Sequence, residues 1–96
     1  MTNFTKAQMN EAIQLATKGE RSNRERIQKI IRETEDRMVR WQLMDEVDAE
    51  GNNVVSIGRL TVTATTAGNS VREHIRSSFK LDGKRASRAQ VEEAAQ

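Results

Sequence analysis

Residues 54–66, VVSIGRLTVTATT, constrain what this 96-residue chain can fold into more than any other stretch. The run is dense in β-branched side chains, which suit a pleated, half-buried surface. A strand needs a partner for its backbone N–H and C=O groups, and sequential strands commonly pair with each other. Just upstream, Asp48-Ala49-Glu50-Gly51-Asn52-Asn53 has turn chemistry, because Gly and Asn accept positive φ. The expectation is an antiparallel hairpin over Met38–Thr66, with strands at Met38–Val47 and Val54–Thr66. Closing the turn on Asp48 and Asn53 sets Val47 opposite Val54, Asp45 opposite Ser56, Leu43 opposite Gly58, Trp41 opposite Leu60 and Val39 opposite Val62, so four of the five pairs are free of charge and put apolar side chains on one face. The rival is a helix from Ser22 through Val47, since Ile27, Ile31, Thr34, Met38, Trp41 and Asp45 follow helical spacing. The cross-strand match favours the hairpin.

Helical signals surround this stretch. Thr5 with Gln8 forms a capping box, Phe4 and Met9 suit a hydrophobic staple, and Met9, Ala12, Ile13 and Ala16 make an apolar stripe that Gly19 would end as a C′ residue. Ser22 with Glu25 would start a second helix carrying Ile27, Ile30 and Ile31 and ending near Asp36–Arg37. After the hairpin come a loop at Ala67-Gly68-Asn69 and a capping box at Ser70 and Glu73. The helix they start would bear Val71, Ile75 and Phe79, with a basic stripe of Arg72, Arg76 and Lys80 one position on. Leu81–Lys84 turns the chain again, and Ser87 with Gln90 is a fourth capping box. The fold class expected is α+β: two N-terminal helices, a two-stranded antiparallel hairpin, then one or two short helices. Residues 1–83 would form one small domain and residues 84–96 a weakly helical or flexible tail.

Only Phe4, Trp41 and Phe79 are aromatic, and 35% of residues are apolar against 31% charged. Cores this small often gain stability by oligomerising, so a homodimer is expected. The absence of cysteine removes disulfides and thiolate metal sites. No apolar run approaches a membrane span and no signal-peptide core opens the chain, so no membrane role and a cytoplasmic location are expected. Net charge is only +2, but its distribution is uneven. Lys18–Arg32 holds six basic and two acidic residues, Glu33–Glu50 two basic and seven acidic, and Gly51–Val91 seven basic and two acidic. Alternating blocks suit a surface that docks in one orientation.

Catalysis is not expected. The lone histidine, His74, has no motif around it, and no Walker-type or dinucleotide-binding glycine loop is present, so neither a cofactor nor a metal is implied. Attention falls instead on Arg21, Ser22, Asn23, Arg24 and Arg26. Placed at the start of a helix, where the dipole is already positive, these arginines and the free first-turn amides would suit a phosphate or a partner's carboxylate. The leading expectation is therefore a non-catalytic interaction protein, a regulator or inhibitor docking on a protein or nucleoprotein partner through that helix entry and its charged faces. The long edge of Val54–Thr66 would be open for strand addition by a twin or partner. The alternative is a single-stranded nucleic-acid-binding module using the same loop with Arg59, Arg72, Arg76, Lys80, Lys84, Arg85 and Arg88.

Ile27-Gln28-Lys29-Ile30-Ile31-Arg32-Glu33-Thr34, followed by a hairpin with Val54-Val55-Ser56-Ile57-Gly58 and a closing helix, resembles the second half of a K homology RNA-binding domain. The Gly-x-x-Gly loop of that family is replaced here by Arg21-Ser22-Asn23-Arg24, and no strand precedes the first helix. The resemblance implies that the Lys18–Arg26 loop would meet single-stranded nucleic acid.

Overall fold

Thr5 opens the first helix as its sequence suggests. Its Oγ1 accepts from the Gln8 N–H at 3.1 Å while Gln8 Oε1 accepts from the Thr5 N–H at 2.9 Å. The structure is a computed structural model that describes residues 3–68 and 72–96. Helix α1 then runs unbroken from Lys6 to Glu33, 28 residues or about 42 Å at the usual rise. Its buried positions Met9, Ala12, Ala16, Glu20, Asn23 and Ile27 recur at steps of three and four, so one stripe faces inward along its length. Phe4 and Met9 both join the core, as a staple should.

Gly19 does not end this helix. A Cβ there would sit 1.9 Å from the Asn52 carbonyl oxygen, so the missing side chain lets the loop before the sheet lie against α1. The two short helices expected before residue 38 are therefore one.

The second correction concerns Met38–Val47. This segment is not a strand but most of helix α2 (Arg37–Ala49), so Trp41 does not meet Leu60 and is instead 54% exposed. Asp36 decides the matter locally. Its carboxylate accepts from the N–H groups of Met38 at 2.9 Å and Val39 at 3.3 Å, an N-cap that starts this helix just after extended Thr34 closes α1. Helix α2 folds back on the second half of α1 with only Val47 fully buried.

The β-rich run finds its partner within itself. Gly58, with φ at 58°, turns it into β1 (Val54–Ile57) and β2 (Leu60–Gly68), and Ile57 faces Leu60 across that turn. The expected third helix is instead strand β3 (Glu73–Leu81), with Leu60 opposite Leu81 and Val62 opposite Phe79. Asn69, Ser70 and Val71, which carried part of that expectation, lie outside the described residues. Asp82 (φ 53°) and Gly83 (φ 81°) make a second tight turn into β4 (Lys84–Ala86). The result is a four-stranded antiparallel sheet in the order β1-β2-β3-β4, not a two-stranded hairpin, and the class remains α+β.

Leu60, Val62, Ala64 and Phe79 point to one face of the sheet, where the first half of α1 covers them. Residues 84–96 contribute to the same domain. Helix α3 (Arg88–Ala94) starts with the Ser87–Gln90 capping box and buries Val91 completely in the core. The Gln96 N–H donates to the Phe4 carbonyl at 3.0 Å, and Asn3 Nδ2 donates to the Ala94 carbonyl at 3.0 Å.

The Val54–Thr66 run does not offer one long open edge, because only its four-residue strand β1 stands at an edge of the sheet. β2 is flanked by β1 and β3, and where β1 ends other groups take its place. Asn53 exchanges two hydrogen bonds with the Ala64 backbone, at 2.9 and 2.7 Å, and the buried carboxylate of Glu20 accepts from the Thr66 N–H at 2.9 Å. Nor does the K homology likeness extend to the structure, because the residues that should form its loop are helical. No helix among the described residues is long and apolar enough to cross a membrane.

Candidate functional site

Arg21, Ser22, Asn23, Arg24 and Arg26 sit in the middle of α1, so no free first-turn amides and no positive helix end lie beside them. The side chains of three of them are engaged within the chain. Asn23 is buried, and its Oδ1 accepts from Asn52 Nδ2 at 3.1 Å. Arg24 Nη2 donates to Asp48 Oδ1 at 3.1 Å, and its Nε lies 3.8 Å from the Glu20 carboxylate. Arg26 makes a bidentate pair with Glu50, with Nη2 donating to Oε1 at 2.8 Å. Those hydrogen bonds, followed by one from Asn52 Nδ2, hold the Glu50 carboxyl below the usual carboxylate range. A carboxylate lowered in the folded state stabilises it above the usual range, and that contribution disappears as pH falls through the lowered value. Because both side chains are solvent-exposed, the effect is modest. The basic block of α1 and the acidic block of α2 thus neutralise each other across the helical hairpin. Arg21 and Ser22 remain exposed.

The other basic candidates separate into two groups. Arg59 joins the two tight turns through Asp82, at 2.8 Å, and Arg88 pairs with Glu92 at 3.2 Å on α3. Lys84 lies opposite Leu81 at the β3–β4 end, and Arg72 precedes β3. Arg76, Lys80 and Arg85 come together. Side chains alternate along a strand, so Arg76 and Lys80, four residues apart, project from the same face of β3, about 13 Å from each other. Arg85 on β4 stands directly opposite Lys80. This face is the one that α1 leaves uncovered.

The same alternation brings Ser56, Thr61, Thr63, Thr65 and Ser78 to that face, with Thr63 opposite Ser78, Thr61 opposite Lys80 and Thr65 opposite Arg76. A shallow groove of about 260 Å³ runs between Thr63, Ser78, Lys80 and Arg85. None of the described outward positions carries a carboxylate, and neither Arg76, Lys80 nor Arg85 has an ion pair with a described residue. Like charges directly across a strand pair repel, at roughly 0.2–1 kcal/mol. Lys80→Thr is therefore expected to raise thermal stability by about 1–8 °C in a domain of this size, measured by circular dichroism melting. An unchanged or lowered midpoint would mean that the Lys80–Arg85 repulsion is already relieved within the chain.

The sequence places Thr61 and Thr63 on one strand face, but the helical spacing of residues 72–80 hides Ser78 and its register with them. The opposing signal is the alternation in HIRSSFKL, where His74, Arg76, Ser78 and Lys80 interleave with Ile75, Phe79 and Leu81 and only Ser77 breaks the pattern. Among the described residues no cluster of His, Asp or Glu is arranged to hold a metal ion. Compared with known proteins, the chain matches no protein family, no curated protein and no solved structure.

Proposed function

We propose that this chain is a small non-catalytic interaction protein that docks on nucleic acid, free or within a nucleoprotein, through the open face of its sheet. One observation carries the reading: three cations and a set of hydroxyls share an uncovered face that holds no carboxylate. Hydroxyls and cations together are the usual donors to phosphate oxygens. Among the described residues the face offers no Phe, Tyr or Trp for base stacking, only His74 at its end, so contacts go mainly to the backbone and sequence preference is weak. It also lacks the buried aromatic anchors that dominate tight protein–protein interfaces, which favours nucleic acid over an acidic protein surface. The Arg24 and Arg26 side chains, held by Asp48 and Glu50, are not assigned to the contact. The compartment proposed is the cytoplasm.

Fluorescence anisotropy with labelled single-stranded and duplex oligonucleotides tests this. Affinity in the range of roughly 10⁻⁴ to 10⁻⁶ M is expected, as for other backbone-directed binding. Three phosphate contacts give a log–log salt slope of about −2 to −3. The Lys80→Glu/Arg85→Glu variant should weaken binding more than tenfold and flatten that slope. Binding that ignores the double variant, or a slope near zero, would contradict the assignment.

A further inference from the structure

Helix α2 is underpartnered. It touches α1, contributes one fully buried side chain, and leaves Met38 at 79% and Trp41 at 54% exposed. Ile31 of α1 is 44% exposed beside them, and Ile31, Trp41 and Met44 line an open groove of about 530 Å³ with Arg37 and Arg40. The most exposed large apolar side chains of the molecule therefore lie at the tip of the helical hairpin, far from the sheet core. Helix geometry places Arg37, Met38, Trp41, Met44 and Asp45 on one face, because residues three and four apart are neighbours. Neither Arg37 nor Asp45 has an ion pair with a described residue.

We propose that this face of α2 packs antiparallel on α2 of a second copy, with the two-fold axis at Trp41. The order of residues selects that occupant. Turning the helix about Trp41 sets Arg37 opposite Asp45 of the second copy, Met38 opposite Met44, and Trp41 beside its own counterpart. Each unpaired charge then meets its opposite, twice over by symmetry, while the exposed apolar side chains cover one another. The two hairpins together make a four-helix arrangement, which supplies the apolar cover that a lone pair of helices lacks. Both sheets stay free for the contact described above, so the two proposals stand or fall separately.

Sedimentation equilibrium on the full chain, from micromolar to millimolar concentration, tests this. A monomer–dimer equilibrium is expected, with Trp41 emission moving to shorter wavelength as the dimer forms. Trp41→Ala should weaken dimerisation about a hundredfold, as central aromatic anchors do. Arg37→Glu and Asp45→Arg should each weaken it about tenfold, since each makes two repulsive contacts. Combining the two should restore the affinity to within about threefold of the original, because the swapped charges are complementary again. All three positions are exposed in the monomer, so the helical circular dichroism should not change. A chain that stays monomeric throughout would overturn the proposal. So would a dimer indifferent to Trp41→Ala, or a double charge swap no better than the single ones.

Discussion

Gly19→Ala is expected to destabilise this protein by about 3–5 kcal/mol, although alanine is the better helix former by roughly 1 kcal/mol. The added methyl would sit 1.9 Å from the Asn52 carbonyl oxygen and 2.6 Å from its carbon. Both are backbone atoms, so no side-chain rotation relieves the clash. The loop must move off α1, and with it go the Asn23–Asn52 hydrogen bond and the Asn53–Ala64 pairing that seats β1 on β2. Domains of this size have about 5–10 kcal/mol in total, so a large share of the stability is at stake. Urea denaturation followed at the α-helical signal measures it. A variant within 1 kcal/mol of the parent, or more stable, would mean the loop does not lie against Gly19.

Glu20→Ala is expected to cost about 3 kcal/mol, by the loss of a charged acceptor and the orphaning of a part-buried N–H. Glu20 is 3% exposed, and its Oε2 takes the place of a neighbouring strand by accepting from the Thr66 N–H at 2.9 Å. Its other oxygen lies 3.8 Å from Arg24 Nε, a buried donor without a hydrogen-bond partner among the described residues, so that contact is an ion pair only. Glu20→Gln keeps one acceptor for Thr66 and should cost about 1 kcal/mol, so the two variants together separate hydrogen bonding from charge. Amide hydrogen exchange gives a local readout: Thr66 should exchange markedly faster in Glu20→Ala and only slightly faster in Glu20→Gln. Equal exchange in the parent and both variants would remove Glu20 from the support of β2.

Apart from Gly19, where a close approach by the Asn52 loop rather than a helix end calls for glycine, the differences between sequence expectation and structure have one physical cause. A spacing of four is compatible with both the helical period of 3.6 and the strand period of two. Ile75 and Phe79, like Arg76 and Lys80, satisfy either period, so their spacing suggests a helix where the chain forms a strand. Val39, Leu43 and Val47 satisfy either period too, and suggest a strand where the chain forms a helix. What decides between the periods is local. Asp36 caps α2 through its carboxylate, while Gly58 and the pair Asp82-Gly83 provide the tight turns that let β1, β2, β3 and β4 pair in sequence. Asp-Gly is among the strongest hairpin signals, and here it marks the β3–β4 turn rather than a break between helices. Where capping chemistry and apolar spacing agreed, at Thr5–Gln8 with Phe4 and Met9 and at Ser87–Gln90, the local structure was legible.

The candidate site was legible in part for the same reason. Arg76 and Lys80 share a face in a helix or a strand, so their association survives the change of element. Arg85 joins them only through the β3–β4 register, which no local spacing reveals. The internal pairing of Arg24 with Asp48 and Arg26 with Glu50 depends on α2 folding back, and a strand at Met38–Val47 would not have provided it.

Amide chemical-shift mapping by nuclear magnetic resonance, during titration with a short single-stranded oligonucleotide at low salt, tests the open sheet face most directly. The expected shifts are largest at Thr61, Thr63, Arg76, Ser78, Lys80 and Arg85, and they should fade as salt is raised. Shifts centred on Arg21, Arg24 and Gln28 of α1, or none at all under conditions that saturate a weak site, would contradict it.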